Sequence, residues 1–241
     1  MRISPGAKQK IQLILAAAIL IAAVRAGYIL YERHITRIEQ ARKRSTALDP
    51  DYYVVPKKLY PYDLKSARQL TQLPVWVKEG YRYAYYPYDL ARHRTDFSHE
   101  AGMLLPLQRL AIKDIATDIS PGSSDQRQVI AIFDQDGKTY ALPIGVAFGK
   151  EYRIYSDEML FIQDPHELYK HWSSDIWECI GKHEVKPGMN ELQTDFAVGM
   201  GVPEPSSDPS VKTVKYPNGG KPLVITYRNG KAAEIKADTP G

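Results

Sequence analysis

Twelve consecutive apolar residues, 13–24, stand behind a basic N-terminus that carries Arg2, Lys8 and Lys10. A run of this kind cannot stay in water at low cost, so it must be covered by lipid, covered by protein or removed. A helix over the 21 residues 11–31 would be about 31 Å long, enough to cross a hydrocarbon core. Its ten Leu, Ile and Val residues favour insertion by roughly 3–6 kcal/mol in all, and an off-centre, snorkelling Arg25 opposes it by less than about 3.5 kcal/mol. The sequence therefore predicts a single transmembrane helix over 11–31. The same residues also fit a cleaved signal peptide, with a basic n-region, an h-region at 13–24 and a small-residue site at Val24-Arg25-Ala26. The anchor is preferred because apolar residues continue through Gly27-Tyr28-Ile29-Leu30-Tyr31. Arg33, Arg37, Arg42, Lys43 and Arg44 follow the span, so the basic flanks nearly balance and barely fix orientation.

Beyond a basic stalk and a Pro-rich linker at 32–73, about 170 residues remain. A hydrophobic content of 44% and a charged content of 25% are those of folded chains, so a core is expected. Much of the net charge of +4 comes from the first 44 residues, which suits an anionic lipid surface rather than a nucleic-acid groove. The single Cys179 excludes an intramolecular disulfide and a Cys-based zinc site.

Residues 74–163 read as an all-β module. Tyr81, Tyr83 and Tyr85 alternate with Arg82 and Ala84 as in a half-buried strand, and Asp136-Gly137 separates two β-rich runs as a hairpin turn. The layout resembles an SH3-like barrel. At Asp164-Pro165-His166-Glu167 the pattern changes to a helix start, with helical spacing to Gly181. A second helix is expected over 189–198, then strands over 211–216, 222–228 and 232–235, parted by Asn218-Gly219-Gly220 and Asn229-Gly230. Residues 164–241 thus read as an α+β module of two helices on a three-stranded antiparallel meander.

Four blocks in this last module occur in a characteristic order: Val185-Lys186-Pro187-Gly188-Met189, Met200-Gly201-Val202-Pro203, Val214-Lys215-Tyr216, and Leu223 through Asn229-Gly230-Lys231. In order and spacing they resemble the SmpA/OmlA domain of BamE-like envelope lipoproteins, over residues 180–236. The resemblance implies a periplasmic soluble part and a binding role without naming a partner. This chain lacks the family's lipidated N-terminal Cys and adds the β-rich module.

Sequence patterns for catalysis are weak. His166, Glu167 and His171 lack the spacing of a zinc-protease helix, and Asp134-x-Asp136-Gly137 departs from a calcium loop at its Gly and at position twelve, Gly145. His93, Asp96, His99 and Glu100 form the best metal-ligating cluster, within eight residues. There is no P-loop or Gly-x-Ser-x-Gly motif, and no cofactor is expected. Tyr81, Tyr83, Tyr85, Tyr86 and Tyr88 are the candidate partner-binding residues, since rings with polar tips make good recognition surfaces; the alternative is that they complete a core. The sequence-based reading is a non-catalytic, membrane-anchored envelope scaffold whose partners are the lipid bilayer and a protein, with no nucleic acid. Two alternatives stay open: a metal-dependent envelope hydrolase built on 93–100, and a secreted, signal-cleaved binding protein.

Overall fold

The structure, a computed structural model, describes residues 25–34, 49–80, 83–123 and 125–238. It is mostly β with few helices, and the chain divides into two compact units, residues 1–53 and 54–241. Among its described residues the first unit contains a helical stretch over 25–34 and a 3-10 turn at Pro50–Tyr53.

The transmembrane helix expected over 11–31 has to be corrected. Among the described residues no helix is long and apolar enough to cross a membrane. Residues 25–34 are helical, and Arg25, Glu32 and Arg33 among them interrupt the apolar series. Residues 11–24 of the expected span, and most of the stalk at 35–48, lie outside the described residues.

The second unit begins with the short helix α1 (Leu64–Ala67), whose N-cap Asp63 and Ser66 form a reciprocal capping box. The β region then runs β1 (Val75–Val77), β2 (Ala84–Asp89), β3 (Arg94–Thr95), β4 (Gly102–Met103), β5 (Arg109–Leu110), β6 (Ile112–Ile119), β7 (Gln126–Gln135), β8 (Lys138–Phe148) and β9 (Glu151–Ile154). A turn of helix, α2 (Ser156–Met159), and β10 (Leu160–Phe161) close it. The α2 turn departs from the all-β expectation for 74–163. Strand order is β3-β2-β8-β7-β6, with β4 on β2 and β9 on β8. The β7–β8 hairpin turns at Asp136 and Gly137, both at positive φ (52° and 74°), the geometry of a two-residue turn between twisted strands.

The run Val129–Phe133 is buried on both faces of the sheet. Val129, Ala131 and Phe133 face the main core with Ile115, Leu142 and Ile144, whereas Ile130 and Ile132 pack with Tyr88, Ala141 and Phe97 on the other side. A bulge between Val129 and Ile130 sets Gly145 against β9. A Cβ on Gly145 would stand 2.4 Å from the Arg153 carbonyl oxygen and 2.9 Å from the Ile154 Cα, both backbone atoms. Gly145→Ala is therefore expected to lower stability by about 1–3 kcal/mol in urea titration, through displacement of β9. Gly181→Ala, where a Cβ meets nothing within 4 Å, serves as the near-neutral control.

The C-terminal region holds α3 (Pro165–Leu168), α4 (Ser174–Gly181), α5 (Glu191–Val198), β11 (Val202–Pro203), β12 (Val211–Tyr216), β13 (Leu223–Arg228) and β14 (Lys231–Ala237). The single helix expected from 164 to 181 is two. Tyr169 leaves helical geometry, and its ring stacks on Trp172 at 4.5 Å and meets Phe196 at 5.0 Å, so core packing of these aromatics breaks the helix. The sheet has four antiparallel strands rather than three, because Val202 and Pro203 pair with Lys215 and Val214. Gly201 permits that approach, since a Cβ there would meet Val214 Cγ1 at 2.4 Å.

Strand β1 joins the two cores. It pairs with β5 and β10, sending Val75 and Val77 into the β-sheet core and Trp76 into the C-terminal core beside Phe161. Alternation along one strand thus stitches the two regions into one body.

Candidate binding groove

The turn Leu105–Gln108 lies where those regions meet. Gln108 N–H donates to the Leu105 carbonyl (3.2 Å), Pro106 takes the second position, and Leu107 sits at φ 60° in the third. Pro supplies the fixed φ of a type II turn, but its third position favours Gly, so Leu107 is held under strain. Two hydrogen bonds to β1 hold it: Leu107 N–H to the Val77 carbonyl (2.8 Å) and Val77 N–H to the Gln108 carbonyl (2.9 Å). Leu107 packs on the C-terminal core, while Leu105, 47% exposed, and Met103, 38% exposed, face outward.

Three cavities of about 340, 290 and 580 Å³ share Leu105 and Pro106. The first is lined by His166, Trp177 and Ile180, the second by Lys182, His183 and Lys221, and the third by Met103, Met200, Pro217 and Pro222. The first and second also share His183; the second and third also share Val198, Asn218 and Gly219. They therefore form one groove with the basic station in the middle. His166 stacks on Trp177 at 4.1 Å, and its Nδ1 lies 3.0 Å from Asp164 Oδ1. His183 adopts φ 55°, and its Nδ1 meets the Ala197 carbonyl at 2.9 Å, which ties the end of α4 to α5.

A buried polar cluster stands behind the large cavity. Met200 N–H donates to the Gly80 carbonyl (3.1 Å), joining the wall segments that follow Glu79 and Asp195. One oxygen of each acid, Glu79 Oε2 and Asp195 Oδ1, is shut off from water without a hydrogen-bond partner among the described residues. Burial, then repulsion from Glu191, pushes the Asp195 carboxyl up to about 7. Burial also raises Glu79. The Tyr216 and Tyr227 hydroxyls meet at 2.8 Å; burial and Asp195 drive Tyr216 far above its ordinary value, and burial pushes Tyr227 up to about 12. Neither acid lines any of the three cavities.

The expected tyrosine surface is split between two faces. Tyr83 and Tyr85 are half-buried on the β-sheet core, Tyr85 with its ring 5.7 Å from Phe133 and 4.9 Å from Tyr140. Tyr86 meets Phe97 at 5.3 Å, Tyr88 is buried on the opposite face, and Tyr81 lies outside the described residues. In the 93–100 loop, His99 Nδ1 meets Asp96 Oδ2 at 2.7 Å, but among the described residues no three His, Cys, Asp or Glu groups come together as a metal site. Asp134 instead bonds Lys113 and Thr139, and Cys179 is half-buried against the C-terminal core.

Sequence reasoning passed over the groove and the two acids. The one available signal was the Met103-Leu104-Leu105-Pro106-Leu107 run, an apolar stretch closed by a turn-forming Pro. Glu79 and Asp195 are 116 positions apart (195 minus 79), and nothing local marks either. The fold defines a mostly β body with a junction groove. No family model matches the sequence, and neither a curated protein nor a solved structure matches it.

Proposed function

We propose that this protein is a non-catalytic binding module that holds a segment of a partner protein in the Leu105–Pro106 groove. The observation that carries the reading is the continuity of three cavities along one turn that is pinned to β1 through Leu107 and Gln108 and leaves Leu105 exposed. Each cavity is close to or within the size range of ligand pockets, and apolar walls interrupted by a few polar groups are typical of recognition sites. The strain at Leu107 fits a position kept for use rather than for stability. The motif order resembling the SmpA/OmlA domain supports an envelope setting and an interaction role.

Random peptides displayed on phage and selected on the full chain provide the test. Enriched peptides are expected to lose at least tenfold in affinity, about 1.4 kcal/mol, when Leu105→Asp places a charge in the groove. Leu105 is exposed, so this variant should keep the wild-type unfolding transition. Selection without enrichment, or peptides indifferent to Leu105→Asp, would overturn the reading.

A further inference from the structure

We infer that the groove selects an extended peptide carrying an acidic side chain between two apolar stretches. This rests on the reading of the groove as a protein-binding site and names the ligand's chemistry. The cavities overlap in a fixed order: the Trp177–His166 pocket, then the basic station, then the methionine- and proline-lined cavity. At the middle station Lys182 already pairs with Glu178 at 2.6 Å, so its charge is partly satisfied. Lys221 is exposed and has no carboxylate partner among the described residues, which leaves an unmatched positive charge beside His183. An acidic side chain held there would complement it.

The apolar stations set what flanks that acid. Trp177 and His166, stacked on each other at 4.1 Å, line the first pocket and suit it to a proline or an aromatic side chain. Met103 and Met200 give the far cavity adaptable, polarisable walls for an aliphatic side chain. The position of the charge also separates a peptide from an anionic amphiphile. A fatty acid carries its charge at one end, whereas this groove places the Lys221 ammonium between two apolar cavities. An extended chain matches that layout because it can present successive side chains to successive stations.

Fluorescence anisotropy on the full chain tests this with three labelled forms of a selected peptide, having Asp, Asn or Lys at the central position, and with sodium oleate as competitor. The Asp peptide is expected to bind about fivefold or more tightly than the Lys peptide. Lys221→Glu should reverse that order, an exchange that a merely structural lysine would not produce. Lys221→Gln should bring the three forms close together. Peptides that lose binding with Leu105→Asp yet ignore both the central residue and Lys221 would overturn the inference while leaving the groove reading intact. Peptides that ignore Leu105→Asp would overturn both. Oleate displacing the Asp peptide in the wild type but not binding Leu105→Asp would assign the groove to an amphiphile and overturn the peptide inference.

Discussion

Asp195→Asn is expected to flatten a fall in stability that the unaltered protein shows as pH rises from about 4 to 8. The folded carboxyl sits at about 7, against 3.8 for the free side chain, chiefly through burial and then through repulsion from Glu191. Tyr216 and Lys212 oppose the shift, while Glu79 adds to it; Tyr227 completes the titratable groups around the site. The folded state therefore binds the proton more strongly than the unfolded chain. Stability from this group is complete below pH 3.8 and is lost as pH rises through about 7. Allowing for partial solvation, the loss is about 2–4 kcal/mol. Urea titrations at several pH values measure it: Asp195→Asn should be the more stable protein at about pH 8, and the two should converge at about pH 4. Glu79, also raised, leaves a smaller slope of the same sign in the variant. Parallel pH profiles for the two proteins would contradict the burial of Asp195.

Phe196→Ala is expected to cost about 3–5 kcal/mol, the usual range for emptying an aromatic site in a core. Phe196 is 0% exposed, and its ring meets Phe161 at 5.9 Å, Tyr169 at 5.0 Å and Trp172 at 5.2 Å. Removing it takes contacts from β10, from the break between α3 and α4, and from α5 together. Alanine is the better helix former, so the loss cannot come from helix propensity. Urea unfolding followed by circular dichroism measures the change. A loss below about 1 kcal/mol would mean that this cluster does not hold the C-terminal region together.

Short-range signals carried much of the fold. Asp136-Gly137 and Asn229-Gly230 announced tight hairpins, and both pairs adopt the positive φ values such turns need. Asp164 with Pro165 marked a helix start that the backbone uses. What failed depended on distant partners. The break after Leu168 arises because Tyr169 and Trp172 are drawn to Phe196, which helical spacing alone does not encode. Nothing local shows that Trp76 faces a different core from Val75 and Val77 on the same strand. The tyrosine alternation was visible, but not that a second layer containing Phe97 would cover the other face of β2. The groove was illegible because its walls come from Gly80, 103–108, 166–183, 197–200 and 217–222, and only tertiary structure brings these together.

Amide hydrogen exchange of the full chain, with and without a selected peptide, tests the groove most directly. Protection is expected in residues 103–108, 181–183 and 217–222, with little change in β6 or β14. Protection confined to those outer strands, with the Leu105 turn unchanged, would contradict the assignment.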